Sequence, residues 1–229
     1  MRPKQLTLDR EPPVHAMRQR GIMYLELRSL DISVFEPLGV SLEQLHFLEV
    51  FMLHALLSES PPIDDQEMIM LADNRKNVAH QGRDPELQLQ TLNGPRLLKD
   101  CASELLDGLD LVADFMDTEA ASAKARYRSA VEAQRQKIND YSKTPSASVL
   151  QLILDRDISF VEFGREQSLK AADYCNALEE DSSVWPGLQA AVGESLQKQR
   201  EIEAADKSGF DSYLNDYLAQ LESGNVHAG

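Results

Sequence analysis

Apolar residues recur at intervals of three and four positions through most of the chain after residue 41, and this period is typical of amphipathic helices. Ser41 and Gln44 fit a capping box, so a first long helix is predicted to begin there and to end before Pro61 and Pro62. One apolar stripe is predicted to be its buried face: Leu42, Leu45, Leu48, Met52, Ala55 and Leu56.

The same reasoning predicts the remaining helices. Asp64 and Asp65 offer a cap for a second helix, which is expected to stop at Gly82 in a left-handed conformation. Pro95 suits the first turn of a third helix. Its expected buried face consists of Leu97, Leu98, Cys101, Leu105, Leu109 and Val112. Further helices are predicted at roughly 119–142, 146–155, 159–180, 187–206 and 209–222.

Residues 1–40 differ, because prolines and glycines predict extended and looped chain there. From Ile22 to Ile32 the pattern alternates, which predicts a strand over 22–30 with Tyr24, Glu26 and Arg28 on one side. At about 3.3 Å per residue, the Glu26 and Arg28 side chains should emerge roughly 6–7 Å apart. Residues 4–8 are the only weak candidate for a second strand, so this strand lacks an evident sheet.

The charge balance narrows the classes of function. The chain of 229 residues carries 23 Lys and Arg against 38 Asp and Glu, a formal charge of −15. Such a balance disfavours binding to nucleic acid or to anionic membranes. No apolar stretch is long enough for a membrane span, and two distant cysteines predict no disulfide framework, so a cytoplasmic setting is expected.

The segment from Gly21 to Asp31, GIMYLELRSLD, resembles the signature of the proteobacterial type of glutamate–cysteine ligase. Further similar segments extend the resemblance over nearly the whole chain: Arg2-Pro3-Lys4, residues 35–40, residues 44–48, residues 74–85 and residues 200–206. Family members are considerably longer, and the portion that has no counterpart here is their N-terminal one.

The resemblance implies a fold class and a reaction. The fold would be mainly α, with long helices after one or two N-terminal strands that belong to a glutamine-synthetase-like antiparallel sheet in the complete, α+β family. The reaction joins the γ-carboxylate of L-glutamate to L-cysteine through γ-glutamyl phosphate, using ATP and Mg²⁺, as the first step of glutathione biosynthesis. Residues 1–40 would contribute to the active site, 41–222 would be helical and 223–229 a disordered tail. Without the missing N-terminal half as its partner, the chain is expected to be inactive.

Site residues carry over from the signature one by one. Glu26 matches a metal-binding glutamate, and Arg28 matches an arginine that contacts the nucleotide phosphates and the acyl phosphate during catalysis. Tyr24 would line the nucleotide site, and Arg83 is a further candidate for cofactor binding. The alternatives are an ordinary surface salt bridge for Glu26 and Arg28, and a helix-end cation for Arg83.

A second hypothesis is a non-catalytic helical protein, either a degenerate remnant or an interaction module. Its acidic helices over residues 95–222 would then serve as a surface for a partner.

Overall fold

The computed structural model describes residues 2–8, 11–28, 30–119, 125–178 and 183–223. They form two compact units, Met1–Asp31 together with Ala177–Gly229, and Ile32–Asn176. The elements in chain order are β1 (Arg2–Lys4), α1 (Pro13–Arg20), β2 (Tyr24–Glu26), α2 (Leu42–Leu57), α3 (Asp65–Gln81), β3 (Gln88–Thr91), β4 (Gly94–Leu97), α4 (Leu98–Glu119), α5 (Arg126–Asn139), a 3-10 turn (Tyr141–Lys143), α6 (Pro145–Arg156), α7 (Phe160–Asn176), α8 (Trp185–Ala205) and α9 (Phe210–Ser223).

The mainly helical fold class is confirmed, and the predicted signature strand exists but is shorter than 22–30. Its partner is β1, which runs antiparallel with Arg2 opposite Glu26 and Lys4 opposite Tyr24. The weak candidate at residues 4–8 therefore shares only its first residue with the real partner strand.

Helix α1 contradicts the expectation that residues 1–40 are entirely extended and looped. Pro13 starts this helix because a proline in the first turn has no backbone N–H to leave unpaired. After Arg20 the chain turns at Gly21, whose φ of +74° lies in the region that favours glycine, and continues into β2. The Gln5 side-chain amide donates to the carbonyls of Arg20 and Gly21, which holds the end of β1 against this turn.

The core of the Ile32–Asn176 unit lies where α2, α4 and α5 pack together. It contains Val50, Leu106, Leu109, Ala113, Tyr127 and Val131, with Phe47, Phe51, Val112, Met116 and Ile138 packed against them. On α4, the prediction was correct for the buried Leu109 but wrong for Leu105, which is 39% exposed.

The predicted buried stripe of α2 is wrong, although the helix and its Ser41 cap are confirmed. Leu42 and Leu56 are 68% and 79% exposed, whereas Val50 is fully buried. The sequence of α2 is apolar on nearly every side, so its periodicity could not select the face that packs.

Helix α3 begins as predicted, with the Asp64 carboxylate accepting from the Glu67 N–H at 2.8 Å. Its expected end in a left-handed conformation is wrong, since Gly82 has a φ of −60° and a ψ of −12°. Glycine is favoured there by crowding, because a Cβ atom would lie 2.5 Å from the carbonyl oxygen of Val78.

The expectation that Pro95 starts the third helix is also wrong. Residues 88–97 form a hairpin of β3 and β4, in which Pro95 lies opposite Gln90, and α4 begins only at Leu98. The Asn74 side chain of α3 bonds both the N–H and the carbonyl of Gln90, at 2.9 and 2.7 Å. A short polar strand that lies opposite Gly94-Pro95 offers too little alternation for sequence reasoning to detect.

The later helices agree with the prediction to within a few residues, except around residue 120. The helix expected over 119–142 corresponds to α5, which is shorter and runs from Arg126 to Asn139, while Glu119 is the last residue of α4. The predicted disordered tail and the end of the predicted helix over 159–180 fall partly on residues 224–229 and 179–180, which lie outside the described residues. Within the described ranges, no helix is both long and apolar enough to cross a membrane.

Candidate functional site

The strand β2 places the signature side chains at the end of a short antiparallel ladder. Tyr24 and Glu26 are two positions apart and so share one face, while Leu25 points to the other. Both faces remain open, with Tyr24 49% and Leu25 45% exposed. Arg28 lies two residues beyond the end of the strand.

Glu26 contacts two cations. Its Oε1 accepts a hydrogen bond from Nε of Arg28, and its Oε2 lies 3.3 Å from Nζ of Lys4. The structure therefore brings together the two residues whose proximity the alternating pattern predicted. Sequence reasoning gave Lys4 no role. The one signal that could have pointed to Lys4 is the Arg2-Pro3-Lys4 segment, which resembles the family. Its position opposite Tyr24 in the ladder puts its amine within diagonal reach of Glu26.

These contacts set the charge of the cluster. The hydrogen bond from Arg28 lowers the pKa of the Glu26 carboxyl; partial burial opposes this effect, and Lys4 adds to it. The same hydrogen bond raises the pKa of Arg28. Glu26 is a carboxylate at neutral pH, as glutamates ordinarily are, and these contacts extend that form to lower pH; the carboxylate is the form that could bind a metal ion.

A second exposed ion pair shows that electrostatics alone do not mark a site. Arg156 and Glu166 form a bidentate ion pair, in which the two guanidinium Nη atoms donate to the two carboxylate oxygens at 2.7 and 2.8 Å. Their pKa values shift in the same directions as those of Arg28 and Glu26. The side-chain exposures are comparable, 42% and 31% against 54% and 32%. The distinguishing features of the Glu26 cluster are its second ion pair, with Lys4, and its place within the segment of residues 21–31.

The described residues contain no group of three or more His, Cys, Asp or Glu side chains that could together hold a metal ion. Glu26 can offer one carboxylate. Mg²⁺ is commonly bound by one or two carboxylates together with water and substrate phosphates, so a single ionised carboxylate suits a partial magnesium site.

Arg83 belongs to the other unit, beyond the C-terminal end of α3. It lines a cavity of about 650 Å³, together with Tyr141, Ser142, Ala147, Ser148, Leu150, Gln151, Leu152 and Leu154. No carboxylate is among these residues, and Arg83 has no ion pair within the described part of the chain. Its guanidinium is therefore available to an anion.

Comparisons with protein families, with individual sequences and with solved structures all find similarity to glutamate–cysteine ligases. The glutamate–cysteine ligase family matches residues 1–78, which include all of β1, β2 and Arg28. The glutamate–cysteine ligases of Alcanivorax borkumensis and Pseudomonas putida are 33% and 34% identical to this chain over 95% and 96% of its length. The crystal structure of the glutamate–cysteine ligase from Francisella tularensis in complex with AMP is 32% identical and superposes over 97% of this chain with a TM-score of 0.87.

The matches cover nearly all of this chain but less than half of each relative. The chain spans only 41% and 42% of the length of the two relatives, and 43% of the solved chain. The part that it matches is the C-terminal one. In sequence and in fold, this chain is thus similar to the C-terminal part of the glutamate–cysteine ligases.

Proposed function

We propose that this chain supplies the C-terminal part of a glutamate–cysteine ligase, which joins the γ-carboxylate of L-glutamate to the amine of L-cysteine with ATP. The observation that carries the proposal is the match of nearly the whole chain, in sequence and fold, to proteins of that name, one of them in complex with AMP. A cytoplasmic location fits this role.

The reaction makes two demands on its site. A carboxylate is a poor acyl donor, so the γ-carboxylate of glutamate first takes the terminal phosphoryl group of ATP and releases ADP. The cysteine amine then displaces phosphate from γ-glutamyl phosphate to form the amide. Both steps gather negatively charged oxygens around a transferring phosphoryl group, and positioned cations stabilise that charge.

Arg28 is suited to contact the phosphates of ATP and the acyl phosphate. Its guanidinium is protonated at neutral pH, as arginines are, and its planar shape lets it bond several phosphate oxygens at once; the contact with Glu26 raises its pKa further. Its side chain is 54% exposed, so a ligand can reach it without displacing protein atoms.

Glu26 is suited to hold one Mg²⁺ ion through its ionised carboxylate. When bound with ATP, Mg²⁺ neutralises part of the phosphate charge during transfer. In the present structure Lys4 and Arg28 balance the carboxylate, so both cations would have to yield part of their contact to the metal. Tyr24, on the same strand face as Glu26, would line the nucleotide site. Arg83, in the other unit, is proposed as a further anion-binding residue.

Two strands and a few charged side chains do not enclose a substrate. The remaining walls would come from a polypeptide equivalent to the larger part of the relatives, which this chain does not match. The chain by itself is therefore expected to release no ADP in response to glutamate and cysteine.

A chimeric enzyme tests the proposed function. In the A. borkumensis ligase, this chain would replace the matching 218 residues, and ADP release would be measured with ATP, Mg²⁺, glutamate and cysteine. We expect release that depends on both amino acids from the chimera, and none from this chain alone. A chimera that folds, as judged by circular dichroism and gel filtration, but lacks activity would contradict the proposal and favour a non-catalytic helical module.

A further inference from the structure

A second cleft in the Ile32–Asn176 unit is lined mainly by apolar side chains, together with two lysines. It is lined by Phe47 of α2, Gly82 after α3, several residues from the start of α4, the end of α5, and Tyr141 and Thr144 of the following turn. Its volume is about 280 Å³. We refer to it as the lysine cleft.

The apolar lining of the lysine cleft is continuous with the hydrophobic core. Leu106 is a buried member of the core cluster, and Phe47 and Ile138 pack against that cluster. Leu98, Ala102 and Leu105 continue the apolar surface along α4. An apolar group that enters the cleft would therefore lose water contact against side chains that already belong to a packed interior.

The charge at the lysine cleft is opposite to that of the whole chain. Its lining holds Lys99 and Lys137 but no Asp or Glu, in a chain whose formal charge is −15. Among the described residues, neither amine forms an ion pair, and Lys137 donates only to the side-chain oxygen of Gln134, at 3.1 Å. Lys99 lies in the first turn of α4, where the helix dipole adds positive potential.

An occupant that meets these conditions has an apolar body and one anionic head. The volume lies just below the roughly 300–1,000 Å³ that is usual for drug-sized ligands, so the occupant must be small. A carboxylate can accept charge-assisted hydrogen bonds from two ammonium groups. We propose that the lysine cleft binds a small carboxylic acid with an apolar body, its carboxylate between Lys99 and Lys137 and its apolar part against Leu106. The proposal does not rest on Glu26, Arg28 or the proposed ligase reaction.

Calorimetric titration of the intact chain with octanoate tests the proposal, with 1-octanol as the uncharged ligand of equal chain length. We expect saturable 1:1 binding of octanoate and affinity at least about tenfold weaker for octanol, because octanol lacks the charge that the amines recognise. Lys99→Gln and Lys137→Gln should each weaken octanoate binding to a similar extent, while Lys170→Gln on α7 serves as the matched control and should leave it unchanged.

Two further variants distinguish the contribution of the cationic side chains to binding from that of the shape of the cleft. Lys99→Arg keeps a cation and should retain most of the affinity, whereas Ala102→Leu fills the apolar wall and should abolish binding with both amines intact. Circular dichroism verifies that each variant is folded. Absence of saturable octanoate binding, equal affinity for octanol, or an unchanged affinity in both glutamine variants would overturn the proposal.

Discussion

The two parts of the chain that matter most here are stabilised in different ways. The α2–α4–α5 region contains a contiguous apolar core, with Val50, Leu109 and Val131 fully buried. The signature strand β2 has no such core, since Tyr24, Leu25 and the preceding Met23 are all at least 45% exposed and its ladder has one partner strand of three residues. The helical region can therefore specify its own structure, whereas the strand that bears Glu26 depends on a short ladder and on ion pairs. This difference is what we expect if the chain supplies part of a larger enzyme, as proposed above.

Two leucine substitutions should give the largest contrast between these regions. Leu109→Ala removes a fully buried side chain and should lower the free energy of unfolding by about 3 kcal/mol. Leu25→Ala, at an exposed strand position, should change it by no more than about 0.5 kcal/mol. Urea denaturation followed by circular dichroism measures both. Equal losses would show that β2 is as firmly packed as the helical core.

Two carboxylates provide a second, smaller contrast. Asp117 accepts hydrogen bonds from the N–H groups of Tyr127 and Arg128 at the start of α5, at 3.1 and 2.9 Å. Asp117→Ala should therefore cost about 1 kcal/mol of stability, as is usual for loss of a helix cap. Glu26→Gln, which removes an exposed ion pair, should have little effect in the same denaturation experiment. A larger loss for Glu26→Gln than for Asp117→Ala would give the strand cluster a structural role.

The pKa of Glu26 offers the finest test of the strand cluster. Arg28→Gln should raise this pKa towards its ordinary value, and Lys4→Gln should raise it less, because the hydrogen bond from Arg28 is the larger cause of the shift. Carbon-detected NMR titration of the side-chain carboxyl measures both changes.

The linked effect on stability has a defined direction. Because the folded-state pKa of Glu26 is lowered, its small contribution is present above the unfolded-state pKa and is lost as the pH falls through the folded-state value. A pKa that is the same in the wild type and in Arg28→Gln would show that the ion pair does not persist in solution.

The sequence predicted correctly those features that depend on interactions between neighbouring residues. The caps at Ser41 and Asp64 are local hydrogen bonds between neighbouring residues, so they could be predicted without tertiary information. The burial of Val50 in place of Leu42 could not, because α2 is apolar all around and only packing with α4 and α5 selects a face. The prediction at Pro95 is wrong because a proline suits both the first turn of a helix and a short hairpin strand, and the local sequence does not distinguish the two.

The candidate site shows a similar division. Alternation predicted that Glu26 and Arg28 would lie together, and they form an ion pair. The role of Lys4 depends on the register between two strands about twenty residues apart, which the short alternating run does not specify. The metal and phosphate roles of these residues rest on the family resemblance, since Arg156 and Glu166 form a comparable pair without it.

The most direct test of the central claim compares these two ion pairs in the chimeric ligase. ADP release that depends on glutamate and cysteine would be measured for Glu26→Gln and Arg28→Gln, with Glu166→Gln and Arg156→Gln as matched controls. We expect each strand substitution to reduce kcat by about 100-fold or more, as is usual for loss of a group that stabilises transition-state charge, while both controls keep full activity. Full activity of Glu26→Gln and Arg28→Gln would contradict the assignment of these residues to the ligase site.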